Sequence, residues 1–125
     1  MDKNTLRYTP SHEWVYVDGD AATVGITDHA VKALTDLVYI ELPEVGRTLA
    51  ANEAFGEVES VKAVSDLLSP VAGEIVEVNS EIADNLDVLT ADPFARGWLI
   101  KLRLTAPVPT SLLDRAAYEK LEEGE

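Results

Sequence analysis

Turn-forming clusters recur at short intervals along this chain, and they constrain its fold more than any other feature. Asp18-Gly19-Asp20, Pro43-Glu44-Val45-Gly46, Ser69-Pro70-Val71-Ala72-Gly73 and Asp92-Pro93-Phe94 each interrupt the sequence. Glycine and Asn/Asp accept backbone angles that other residues avoid, and proline removes a donor, so such clusters end helices and strands alike. Between them lie short runs rich in Val, Ile, Leu, Tyr and Trp, at residues 14–17, 22–26, 36–42, 48–49, 55–60, 63–68, 74–78 and 98–104. That spacing predicts antiparallel strands and a mainly β body.

Helical signals are fewer. Thr27 is a candidate N-cap, with Asp28 in the first turn and Ala30, Val31 and Leu34 on one face. Residues 80–84 read as a single helical turn. Beyond Pro107 and Pro109, residues 110–123 place Leu113, Ala116, Ala117 and Leu121 on one helical face. Asp114 offers a cap within that span, so the tail reads as one helix or two.

At 125 residues the chain is expected to form a single domain, 1–125, with a core over about 8–106 and a C-terminal helical segment over about 110–123. It holds no cysteine, which removes disulfides and thiolate metal sites and fits a reducing compartment. No apolar run approaches membrane-spanning length. The N-terminus has neither an apolar signal core nor an Arg-rich leader, so a bacterial cytoplasmic setting is expected; a mitochondrial matrix setting would require a leader already removed. Ten Lys and Arg against 23 Asp and Glu leave a net charge of −13. Phosphate backbones and anionic membranes repel such a surface, so neither is an expected partner. Charge of this sign favours basic surfaces on other proteins.

One lysine stands apart. Among the 48 residues between Arg47 and Arg96 ten are Asp or Glu, and Lys62 is the only base. It falls between two β-prone runs, in Glu59-Ser60-Val61-Lys62-Ala63, where a hairpin tip is expected. Val61 disfavours the positive φ of the tightest hairpin turns, so the tip is expected to be a type I or slightly longer turn. Catalytic lysines need burial or cationic neighbours, whereas Glu57 and Glu59 flank this one. Lys62 therefore reads as an attachment handle, the alternative being an ordinary solvated lysine. Residues 36–40 and 74–78 share a pattern 38 positions apart, on either side of Lys62, and suggest two half-units in a two-sheet body with Lys62 near their pseudo-axis.

Taken with Ser65-Asp66 and Ser69-Pro70-Val71-Ala72-Gly73, the Lys62 segment resembles the lipoyl-attachment region of the glycine cleavage system H proteins. The likeness runs from about Tyr8 to Tyr118 and includes His12-Glu13-Trp14, Val24-Gly25-Ile26-Thr27, Glu41-Leu42-Pro43, Asp92-Pro93 and Gly97-Trp98-Leu99. It departs from the family pattern at Thr35 and Asn52, both usual glycines, and in the loop Thr90-Ala91-Asp92-Pro93-Phe94-Ala95. Biotin carriers present Met-Lys-Met where this chain has Val61-Lys62-Ala63. Lipoyl domains of 2-oxoacid dehydrogenases are shorter and lack His12-Glu13-Trp14.

The resemblance implies a barrel-sandwich hybrid of the lipoyl/biotinyl type, two antiparallel sheets with short helices and a C-terminal helix. It implies a monomeric carrier, not an enzyme, with lipoate in amide linkage on Lys62. The recognition flank would comprise Glu57, Glu59, Ser60, Val61, Ala63, Ser65 and Asp66, with His29 near the arm. The implied partners are a pyridoxal-phosphate (PLP) glycine decarboxylase, a tetrahydrofolate-dependent aminomethyltransferase, dihydrolipoyl dehydrogenase, and a lipoate ligase or octanoyltransferase. Two other readings stand beside it: a lipoyl relay supplying 2-oxoacid dehydrogenases, and an unmodified acidic interaction domain. His12-Glu13 and Asp28-His29 are weak metal ligands on spacing alone, and no metal is expected. Ser60-x-Lys62 lacks the companions of a Ser–Lys dyad. Trp14 and Trp98 read as core.

Overall fold

The computed structural model describes residues 3–124. A 3-10 turn (Lys3–Thr5) leads into β1 (Arg7–Tyr8), β2 (Glu13–Asp18) and β3 (Ala21–Ile26), then helix α1 (Asp28–Leu34). Strands β4 (Leu37–Glu41), β5 (Thr48–Leu49), β6 (Ala54–Ser60), β7 (Val64–Leu68) and β8 (Gly73–Val78) follow. Helices α2 (Ser80–Asp84) and α3 (Leu86–Ala91) precede β9 (Ile100–Leu104), and α4 (Arg115–Glu123) comes last. A six-stranded sheet runs β1-β2-β3-β9-β8-β5, and a three-stranded sheet runs β4-β6-β7. Every strand pair is antiparallel, in the mainly β architecture anticipated above.

The turn chemistry sets the strand pairing. Gly19, at φ 64°, closes β2 onto β3, a conformation glycine adopts without a Cβ penalty. Trp14 then faces Gly25 across the pair. A Cβ on Gly25 would lie 2.6 Å from the indole, so the ring lies over the strand only because that residue is glycine. The Trp14 Nε1 donates to the carbonyls of Ile26 and Pro93, each at 3.0 Å, which satisfies the buried donor.

Both sheets contribute to one core: Val15, Val24, Ile26, Ile75, Ile100 and Leu102 from the larger, Ile40, Phe55, Val58 and Leu67 from the smaller. Burying each such side chain stabilises the fold by about 1.5–3 kcal/mol relative to exposure. A second cluster gathers Leu6, Tyr8, Trp14, Phe94 and Tyr118. Helix α4 belongs to it. Tyr118 stacks on Tyr8 with ring centroids 4.5 Å apart, and Asp114 caps the helix by accepting from the Ala117 N–H at 2.8 Å.

Several details differ from the sequence reading. The tail is one helix, beginning after the Asp114 cap. Leu113 exchanges two backbone hydrogen bonds with Tyr8, both at 2.8 Å, which keeps residues before the cap out of the helix. Helix α3 and strand β1 occupy stretches for which the sequence suggests no element. The strand read at 36–42 spans Leu37–Glu41 and that at 98–104 spans Ile100–Leu104. The echoed segments lie in different sheets, β4 in the smaller and β8 in the larger. Trp14 is fully buried; Trp98 is half-buried beneath Lys101, whose Nζ lies 4.7 Å from the ring centroid.

Candidate functional site

Strands β6 and β7 form the expected hairpin. Glu57 pairs with Asp66, Val58 with Ser65 and Glu59 with Val64, and the Ser60 N–H closes the ladder by donating to the Ala63 carbonyl at 2.8 Å. Val61, Lys62 and Ala63 are exposed at the tip. None of the three has a positive φ, in keeping with the turn class that Val61 imposes. The Ser60 hydroxyl shapes this turn. Its Oγ accepts from the N–H groups of Lys62 at 3.3 Å and Ala63 at 3.1 Å, serving donors that the strand ladder leaves over. Ser60 itself is buried, so its hydroxyl works inside the turn.

Outside the hairpin the tip has one brace. The Val61 N–H donates to the Asp36 carbonyl at 3.2 Å, just before β4. Among the described residues this is the only hydrogen bond joining Val61, Lys62 or Ala63 to another part of the molecule. Lys62 forms no ion pair with the described residues.

The strand register places the flanking carboxylates. Across β4-β6-β7 one row reads Glu41, Glu57, Asp66, and the next reads Tyr39, Glu59, Val64. Residues directly opposite share a face, so four carboxylates gather on the outer face of the small sheet. Tyr39 and Val64 lie beside them, 51% and 60% exposed. Glu41 and Tyr39 were not among the site residues expected from sequence, because only the register brings β4 beside β6. Ser65 points the other way from Asp66 and is half-buried.

His29 lies on α1, and its contacts run to the C-terminal side of the molecule. Its ring stacks on His12 at 4.4 Å, and its Nδ1 lies 3.3 Å from a Glu122 carboxylate oxygen. The His12 Nδ1 and the Thr27 hydroxyl each lie 2.7 Å from the Tyr118 hydroxyl. The two histidines thus meet although seventeen residues separate them, and they join α1 to α4. Among the described residues no group of three or more His, Asp or Glu is disposed to hold a metal ion.

Glu13, read from sequence only as half of a weak metal pair and as part of a family motif, has a structural place instead. It is 1% exposed, and its carboxylate accepts from the hydroxyls of Thr9 and Ser11 and from the Leu68 N–H. Desolvation pushes its carboxyl above the ordinary range, while these hydrogen bonds pull it back. It fastens the end of β7 to the corner before β2.

Residues 6–125 match the family model of the glycine cleavage H-protein. The chain belongs to that family. It is 58% identical over 123 residues to the glycine cleavage system H protein of Rhodopirellula baltica, covering 95% of this chain and 93% of the relative. It is 48% identical over 121 residues to the mitochondrial H protein 2 of Arabidopsis thaliana, covering 96% of this chain and 78% of that one. A crystal structure of an H protein from Mycobacterium marinum superposes with a TM-score of 0.89, at 44% identity and 98% coverage of both chains. Family membership makes the protein a lipoyl carrier of the glycine cleavage system, not a catalyst. Among the described residues no helix is long and apolar enough to cross a membrane.

Proposed function

We propose that Lys62 carries lipoate in amide linkage, and that the loaded arm moves the aminomethyl group of glycine from the PLP-dependent decarboxylase to the tetrahydrofolate-dependent aminomethyltransferase. The observation that supports this most directly is the lone base of the acidic segment, exposed at a hairpin tip whose turn is built by Ser60. The site fits the group: no carboxylate among the described residues forms an ion pair with the Lys62 ammonium, and Lys62 is exposed at the tip of the β6–β7 hairpin. When bound, lipoate supplies a strained disulfide that accepts the one-carbon amine unit and is later restored by dihydrolipoyl dehydrogenase.

The remaining work falls to the chain. About ten linked bonds give a lipoyl-lysine a reach of roughly 12–15 Å from the backbone, enough to enter a deep cleft while the body stays outside. Acylation removes the Lys62 charge and leaves Glu41, Glu57, Glu59 and Asp66 as an acidic cluster on the outer face, with Arg47 at its edge beside Glu41, Glu57 and Asp66. That face suits basic surfaces around the clefts of the three partner enzymes and of the lipoate ligase or octanoyltransferase. Ser60 holds the turn, Val61 and Ala63 flank the lysine, and Ser65 and Asp66 carry the return strand. His29, with its ring between His12 and Glu122, would meet the arm only if it folds back over α1.

Coexpression with a lipoate ligase tests the assignment. Intact mass and peptide mapping should find lipoate on Lys62 and on none of Lys3, Lys32, Lys101 or Lys120, and Lys62→Arg should fold normally and stay unmodified. The lipoylated protein should support exchange of labelled bicarbonate into glycine with the decarboxylase. A fully lipoylated protein that is silent there, yet efficiently reduced by a 2-oxoacid dehydrogenase, would replace this reading with the lipoyl relay.

A further inference from the structure

The joint between α1 and β4 is made of two non-glycine residues at positive φ. Thr35 lies at φ 52°, ψ 168° and Asp36 at φ 23°. A Cβ opposes these angles, and the Thr35 conformation borders a region populated almost entirely by glycine. Such a conformation persists only where its surroundings over-determine it.

Both ends of the joint are fixed. Upstream, the Thr27 hydroxyl caps α1 by accepting from the Ala30 N–H at 3.2 Å, Val31 is buried, and the Thr35 N–H donates to the Val31 carbonyl at 3.1 Å. Downstream, Leu37 pairs with Ser60 at the head of the hairpin. The carbonyl at the downstream end of the joint is the one that braces the tip, through Asp36 O and the Val61 N–H. Strain in the joint and the brace on the lysine tip are therefore one mechanical unit.

We propose that Thr35 and Asp36 form a strained latch which makes the Lys62 tip easy to release from the body, and that the residue at position 35 sets how often it opens. The proposal rests on Lys62 being the attachment site. While the brace holds, Thr35 must keep its unfavourable angles. When the brace breaks, the Asp36 peptide loses one of its two downstream restraints, the Leu37–Ser60 pair remaining, and Thr35 relaxes part of the way, so the stored strain favours opening. Room for that movement exists beside the joint: a pocket of about 320 Å3 is lined by Val31, Thr35, Asp36, Leu37, Leu86 and Thr90 among others. A second pocket, lined by Asp28, Val31, Lys32, Thr35 and Thr90, adjoins it. An enzyme that must seat Lys62 in a deep cleft binds the released tip more readily than the braced one. Its apparent affinity then scales with the fraction of released tip.

The test is solvent exchange of the Val61 amide, followed by NMR in the unlipoylated protein. Thr35→Gly removes the Cβ that opposes these angles, so the closed latch is no longer penalised. Val61 exchange should slow by roughly tenfold, the factor expected when strain of this order is relieved. Thr35→Ala keeps a Cβ and should exchange nearly as the parent does. Asn52→Gly relieves another positive-φ residue, at φ 70° but away from the tip, and should leave Val61 unchanged. In lipoylation by the ligase, Thr35→Gly should raise KM for the carrier by about the same factor of ten and leave kcat unaltered. Val61 exchange that is unchanged or faster in Thr35→Gly overturns the latch. Slower exchange with unaltered lipoylation kinetics overturns its role in presenting the lysine. If Lys62 is never lipoylated in any variant, the attachment reading fails while the exchange result still decides the latch.

Discussion

The Glu13 carboxylate accepts the backbone N–H of Leu68 at 3.3 Å, across 55 residues of sequence. This contact satisfies a donor on the outer edge of β7, the strand that carries the chain away from Lys62. It also commits a buried acid to the fold, and that commitment gives stability a pH dependence. Burial raises the Glu13 pKa in the folded state, so folded protein holds the proton more tightly than unfolded protein. Stability from this group is greatest in acid and falls as pH rises from about 4.3, the unfolded value, through the raised folded value. Glu13→Gln removes the titration. Denaturant unfolding across pH 4 to 8 should show the variant gaining on the parent as pH rises. A gap that widens against the variant instead would mean that hydrogen bonding to the carboxylate outweighs its desolvation.

Ser60 is expected to matter for the shape of the tip. Ser60→Ala leaves the Lys62 and Ala63 N–H groups to water and should cost about 1 kcal/mol, in the range of lost helix caps. Thermal unfolding reads that loss. The lipoylation rate of Lys62 should fall with it, because the lysine then leaves a looser turn.

The acidic rows predict opposite effects on folding and on docking. Glu57 sits directly between Glu41 and Asp66, and like charges opposite one another destabilise a sheet. Glu57→Lys turns two repulsions into attractions and should stabilise the protein by about 0.5–1 kcal/mol. The same change breaks the acidic face. Aminomethyl transfer should then show a higher KM for the carrier, and the parent's affinity should weaken with salt, since exposed charges are screened over about 8–10 Å. A variant that is more stable and docks as well as the parent would remove the acidic face from partner binding.

How much could be read in advance depended on how local each signal was. The Lys62 hairpin was legible because its strands and its tip are continuous in sequence and Val61 excludes the tightest turns. Asn52, at a usual glycine position, adopts φ 70° with its N–H on the Ser69 carbonyl at 2.6 Å, a left-handed turn that asparagine tolerates. Helix α3 escaped because Asn85 both ends α2 and caps α3, and helices of five and six residues are too short to show a period. Strand β1 exists only through its partners, β2 and Leu113. Glu41 joined the site through register, and Glu13 through a contact with Leu68, neither of which leaves a local trace. At Thr35 the departure from glycine was visible, but the strain became visible only once both ends of the joint were fixed.

The pairing of Tyr8 with Leu113, and its stacking on Tyr118, bear on the order in which the protein is made. A ribosome delivers Tyr8 early, yet the residues that cover it come more than a hundred positions later. Until then Tyr8 lacks that cover, and exposed apolar surface of this kind is what aggregates grow from. The hairpin that bears Lys62 is complete long before that point. A modifying enzyme in the same compartment could meet a finished tip on an unfinished body, and the last helix to emerge closes the molecule behind it.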